Sequence, residues 1–310
     1  MTTALQRLVR NGTFAITAEI VPPLSAQREL LLREAAHLRG RADAVNVTDA
    51  AAGRTTMSSF AAAAILAADG YEPVLQVTCR DRNRIALAGD LLGAAAQGIG
   101  NLLILHGDDP AGGDQPEAKP VFDFNSGQLM TLARELRDNG VLPSGRKLDS
   151  APEFFIGGAD VPRDPGPDWS AAGLLRKIDA GADFVQTQFC FDLNVARRYA
   201  QRLRDEGITE RLAVILGVGP IRSAKSARWM NDNLFGVRVP DDVIARLEGA
   251  ADAAAEGRKI CAELIEGFRE IPGIAGAHLM APGGGVEAIA AVLDSLPQRN
   301  AGGTGAAERV

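Results

Sequence analysis

Cysteine is scarce in this chain: 310 residues hold only Cys79, Cys190 and Cys261. They are far apart and form no CxxC pair, which excludes a disulfide framework and a cysteine-built zinc site. Histidine is as rare, with His37, His106 and His278, and no two stand at metal-ligand spacing. That argues against zinc and iron. No apolar run approaches the roughly 20 residues that span a bilayer; the most apolar stretch, 61–68, ends at Asp69. A basic excess is missing too. Lys and Arg total 33 against 39 Asp and Glu, a net charge of −6, whereas nucleic-acid binding needs a basic stripe. Neither a nucleic-acid nor a membrane partner is expected. No basic-then-apolar secretory leader is read at the start, and the expected location is the reducing cytoplasm. GxSxG, Walker A, GxGxxG and HExxH motifs are all absent.

What is present is alternation. Eight short apolar runs read as buried parallel strands: 14–21, 44–48, 73–78, 101–106, 154–159, 183–189, 213–219 and 276–281. Between them, Leu, Ile and Ala recur at helical spacing, as over 26–39, 83–98, 171–180, 193–206 and 285–296. Extra helix is expected over 241–268, before the last strand. Eight strand–helix units predict a single (β/α)8 TIM barrel, with a doubly wound open sheet as the rival. Residues 1–13 read as a leader or short helix, 14–296 as the barrel, and 297–310 as a disordered tail rich in Gly and Ala. Two loops rich in Gly, Pro and Asp, 107–123 and 160–169, follow strands four and five on the face where barrels place their chemistry.

Side chains alternate along a strand. The apolar parity of strand one leaves Thr17 and Glu19 pointing inward, and strand two repeats this with Asn46 and Thr48. Strand three turns Gln76 and Thr78 in, and strand six pairs Gln186 with Gln188. Strand four is read with Leu103 and Leu105 outward, His106 inward and Asp108 just beyond. Glu19, Thr48, Gln76, His106, Asp108 and Gln188 therefore form a ring of inward polar groups. Burying such groups without partners costs about 1–3 kcal/mol each. The ring is either a site or a self-satisfied hydrogen-bond network. Its residue types suit hydrogen bonding to a planar heterocycle and handling one proton. A carboxyl group sunk in an apolar barrel keeps its proton more firmly than one in water, so Glu19 is the candidate donor and Asp108 the candidate ionised partner. His37 reads as a surface residue, and His278 fits either face. Lys177 reads as a solvated helix charge or a phosphate contact.

The segments AEIVPP (18–23), 77–110 with its HGDDP end, VFDFNSGQLM (121–130) and RKIDAGADFVQTQFCFD (176–192) resemble methylenetetrahydrofolate reductases, in the same order from about 14 to 296. The resemblance implies a (β/α)8 barrel that reduces 5,10-methylenetetrahydrofolate to 5-methyltetrahydrofolate with NADH or NADPH through FAD. It places the chain in folate and one-carbon metabolism and methionine biosynthesis, and relatives of this kind are commonly homo-oligomers. It gives Glu19 the protonation of the folate ring nitrogen as the bridge opens to an iminium. It gives Asp108 the stabilisation of that cation, and Gln188 contact with substrate and nicotinamide. Thr48, Gly107, Ala159 and Lys177 match flavin contacts, Lys177 toward the phosphates. Gln76 stands where better-known members have a histidine against the flavin, and His106 where many have an arginine. Ser170 replaces a common aspartate, Ala224 an aromatic, and HLMAPGGG (278–285) the usual terminal motif. These departures thin the flavin shell. The alternatives are a flavin-independent reductase of the same substrate, a pterin-binding barrel methyltransferase subunit and a non-catalytic scaffold.

Overall fold

A computed structural model describes residues 2–281 and 283–297. Eight parallel strands close on themselves in sequence order. They are β1 (Ala15–Ile20), β2 (Ala44–Val47), β3 (Pro73–Thr78), β4 (Asn101–Leu105), β5 (Phe155–Asp160), β6 (Phe184–Phe189), β7 (Ala213–Val218) and β8 (Ile274–Leu279). Around them run α2 (Arg28–Ala36), α3 (Ser59–Ala68), α4 (Arg84–Ala96), α5 (Ser126–Asp138), α6 (Ala172–Asp179), α7 (Leu193–Asp205), α8 (Ala224–Asn233) and α11 (Gly285–Ser295). The barrel is the expected one. The extra helix before the last strand is two helices, α9 (Asp241–Gly249) and α10 (Ala253–Arg269). β8 starts at Ile274, ahead of the expected 276. The expected tail lies, but for Pro297, outside the described residues.

Local chemistry sets the helix starts. Asn125 and Gln128 close a reciprocal capping box on α5, and the side chains of Asn83, Asp192 and Asp252 accept backbone N–H bonds at the starts of α4, α7 and α10. On α7, Ala196, Tyr199, Ala200 and Leu203 fall on one buried stripe. Such stripes pack against the outward strand residues to form the outer core, which includes Ile16, Val47, Ile104 and Leu216.

A separate apolar cluster fills the strand starts inside the barrel: Ala15, Ala44, Val74, Leu103, Phe155, Phe184 and Ile215. Phe155 and Phe184 stack at 4.7 Å. Gly157 makes room for them, since a Cβ there would stand 2.2 Å from the Phe184 ring. Residues Ala4–Arg10 form a helix, α1, capped by Thr3. Its Leu5 is fully buried in the same inner cluster, so α1 stops the floor of the barrel.

Leu5→Ala is expected to cost about 2–5 kcal/mol, seen as a lower urea midpoint with an unchanged slope. All three thiols are free and buried. Burial pushes Cys79 and Cys190 up to about 11, and Cys261 higher still. A thiol reagent near pH ~8 is therefore expected to label none of them in the folded protein and all three in urea.

Candidate active site

Above the apolar floor lies a polar tier. Asn46 Nδ2 donates to Gln186 Oε1 at 2.6 Å, and Gln186 Nε2 donates back to Asn46 Oδ1 at 3.1 Å. The same Gln186 nitrogen donates to Thr17 Oγ1 at 2.9 Å, and Thr17 Oγ1 lies 2.9 Å from His278 Nδ1. All four side chains are buried. One tier of the barrel is thus the self-satisfied network that the inward parity allowed. His278 faces in.

The next tier toward the strand C-termini is open. Glu19, near the end of β1, keeps 23% of its side chain exposed. Its Oε2 accepts from Gln76 Nε2 at 3.2 Å and lies 3.9 Å from His278 Nε2. Among the described residues, Oε1 has no hydrogen-bond partner. Thr48, just past β2, is 1% exposed, and its hydroxyl is buried with no partner. Two members of the expected ring, Glu19 and Gln76, are therefore in direct contact.

The parity read for strand four is corrected. Leu103 belongs to the inner cluster and Leu105 packs against it, while Leu102 and Ile104 face the helices. A run of apolar residues on both parities hid the true phase. β4 ends at Leu105, so His106 is an exposed loop residue, stacked on Phe122 at 4.4 Å, and not an inward one. Gly107 turns the chain at φ +100, where a Cβ would stand 2.8 Å from Arg80 Cβ. Asp108 is also exposed, and its Oδ2 accepts from Ala52 N at 2.7 Å. Ala50 and Ala52 hold positive φ values of 49 and 54, a conformation that costs side-chain-bearing residues energy. Arg80, 2% exposed, braces this turn: it donates to Asp108 O at 3.2 Å and Ala50 O at 3.3 Å, and pairs with Asp81. Hydrogen bonding to Asp81 raises the Arg80 pKa further above its ordinary value. Sequence reasoning missed Arg80; a charged residue directly after a buried strand was the available signal.

On the far side, Gln188 Oε1 accepts from Phe189 N at 3.0 Å. Among the described residues, the Gln188 amide nitrogen has no partner. Ala159 is exposed at the end of β5. Lys177 lies against the outward face of β5, where a Cβ at Gly158 would stand 3.3 Å from its Cδ, and its Nζ is 3.7 Å from Asp160 Oδ1. The hydroxyl of buried Tyr199 donates to the same Asp160, and burial pushes its pKa well up.

At the ends of β6, β7 and β8 a cavity of about 580 Å³ opens. Its apolar lining includes Phe189, Ile221, Met230 and Met280, and Arg222 and Lys225 supply cations. Among the described residues, neither cation has an ion-pair partner. The GPIRS segment was the signal for this wall, which the expected site residues did not include.

A family model described as methylenetetrahydrofolate reductase matches residues 4–294. The chain belongs to the methylenetetrahydrofolate reductase family. It is 29% identical over 191 residues to the 5,10-methylenetetrahydrofolate reductase of Salmonella typhimurium, covering 62% of this chain and 57% of that protein. It is 29% identical over 199 residues to the probable methylenetetrahydrofolate reductase (NADPH) of Caenorhabditis elegans, covering 63% of this chain and 27% of that one. The match thus spans a little over half of the bacterial relative and about a quarter of the nematode one. Among solved structures, a Clostridium thermocellum protein described as binding two copies of 5-methyl-5,6,7,8-tetrahydrofolic acid superposes with a TM-score of 0.60 at 15% identity. It covers 94% of this chain and 98% of that one, and shares the fold.

Gln186→Leu is expected to destabilise by about 1–3 kcal/mol, because Asn46 and Thr17 lose their buried partner; chemical denaturation measures it.

Proposed function

We propose that this chain reduces 5,10-methylenetetrahydrofolate to 5-methyltetrahydrofolate with hydride from NADH or NADPH. Family membership supports the substrate. The observation that carries the reading is the partly exposed Glu19 carboxyl: neutral Gln76 holds one oxygen, and the other has no partner among the described residues. Glu19 gives its proton to the folate ring nitrogen whose bond to the bridging carbon breaks. The exocyclic iminium left behind takes the hydride. In this reading Asp108 is the anion that stabilises this cation, and its carboxylate is oriented by the Ala52 N–H. Gln188 presents its amide N–H groups to the substrate. The p-aminobenzoyl-glutamate end of folate, an apolar ring followed by carboxylates, suits the cavity lined by Phe189 and Met280 with Arg222 and Lys225 beside them.

The residues present fit a flavin. The partnerless hydroxyl of Thr48 stands where the resemblance puts a flavin contact. Thr48, Gln76, His106, Gly107, Asp108 and Ala159 would hold the ring system, and Lys177 the phosphates. When bound, FAD supplies a two-electron carrier between nicotinamide and folate. A second reading, direct hydride transfer from the nicotinamide without flavin, is favoured by two contacts. Asp108 is already bonded to Ala52, and Lys177 already faces Asp160. The visible spectrum of the purified protein separates the two readings: yellow for flavin, colourless for direct transfer.

Glu19→Gln is expected to lower turnover by about 10²–10⁴-fold while folate binding persists. Normal turnover of Glu19→Gln would sink the proton-donor reading. No NADH or NADPH oxidation by the native protein with methylenetetrahydrofolate would sink the reductase reading. Arg222→Ala combined with Lys225→Ala is expected to raise the folate KM about 10-fold, with little change in kcat.

A further inference from the structure

We infer that His278 is a positioning residue for Glu19, held as the neutral tautomer that carries its proton on Nε2. The inference rests on the reading of Glu19 as proton donor. Hydrogen-bond direction carries it. The Asn46–Gln186 amide pair is reciprocal, with bonds of 2.6 and 3.1 Å, and the Gln186 nitrogen of that pair faces both Thr17 Oγ1 at 2.9 Å and His278 Nδ1 at 3.5 Å, so that both are on its acceptor side. Thr17 Oγ1 therefore accepts from Gln186, at 2.9 Å. Its own O–H is left to donate to His278 Nδ1, also at 2.9 Å. An imidazole that accepts at Nδ1 bears its hydrogen on Nε2. That Nε2 faces Glu19 Oε2 across 3.9 Å.

The gap has a use. While Glu19 is protonated, its Oε2 is satisfied by Gln76 alone. When the Glu19 O–H bond breaks and the substrate N–H bond forms, a negative charge remains on the carboxylate. Nε2–H is then the second donor, and a small shift of Glu19 closes the distance. No proton passes to His278. Four buried residues on β1, β2, β6 and β8 thus set the tautomer that meets the charge left behind. Burial makes such a donor stronger than it would be in water.

Three variants test this. His278→Asn keeps an acceptor for Thr17 but cannot reach Glu19. His278→Gln keeps an N–H donor near the Nε2 position. Thr17→Val removes the hydroxyl that holds the tautomer, and it tests the same point should His278→Asn fail to fold. His278→Asn and Thr17→Val are expected to lose about 10-fold or more in kcat with the folate KM unchanged, and His278→Gln to recover most of it. Wild-type kcat in the foldable members of the first two overturns the inference. So does a His278→Gln that is as slow as His278→Asn, since His278 would then act only through packing. Glu19→Gln measured beside them separates the claims. If it is slow while His278→Asn is normal, only the role of His278 fails; if it turns over normally, the proton-donor reading fails and this inference with it.

Discussion

The amide pair of Asn46 and Gln186 is the contact on which the interior depends. Buried amides cost too much to leave unsatisfied; Asn46 is satisfied by Gln186, and Gln186 by Asn46 and Thr17, with His278 Nδ1 at 3.5 Å from its nitrogen. The pair spans from β2 to β6, so it fixes the phase of distant strands at once. With phase fixed, residues two positions further along a regular strand face the same way. Thr48 follows Asn46 and Glu19 follows Thr17, whereas on β6 a register shift between Gln186 and Phe189 breaks the alternation before Gln188. On β1 and β2 the open tier is thus a geometric consequence of the closed one.

The loops answer a different constraint. Asp108 sits on an exposed turn, where nothing in the barrel holds it. Its place comes from two alanines in a costly conformation and from a buried arginine that gathers the carbonyls of Ala50 and Asp108. Thr55 adds a tie to Asp114 at 3.0 Å, which joins the segment after β2 to the loop after β4. The energy stored in Ala50 and Ala52 is repaid by these cross-loop bonds. A carboxylate held in this way is oriented before any ligand arrives.

Much of this was legible in the sequence, and the exceptions have physical reasons. Strands with one apolar parity, such as β1 and β3, revealed both their existence and their facing. β4 is apolar on both parities because its first inward positions sit in the floor cluster, so alternation carried no phase, and His106 was placed inside when it lies on the rim. Of the inferred polar ring, Glu19 and Gln76 touch and His106 stacks on Phe122 in the loop after β4; Lys177, matched only by resemblance to flavin phosphates, faces Asp160. The bracing role of Arg80 depends on loops separated by some thirty positions or more, and no local pattern reports such a meeting. The wall with Arg222 and Lys225 was hidden because a helix start rich in Ser and Lys looks like ordinary solvated surface.

The stopper at the floor has its own consequence. With Leu5 and the stacked rings of Phe155 and Phe184 closing one end, the tube is a vessel with a single opening. Glu19, 23% exposed, lies beyond the buried polar tier from this floor. For the proton donor proposed at Glu19, the closed floor leaves the rim side as the route by which its proton is replaced.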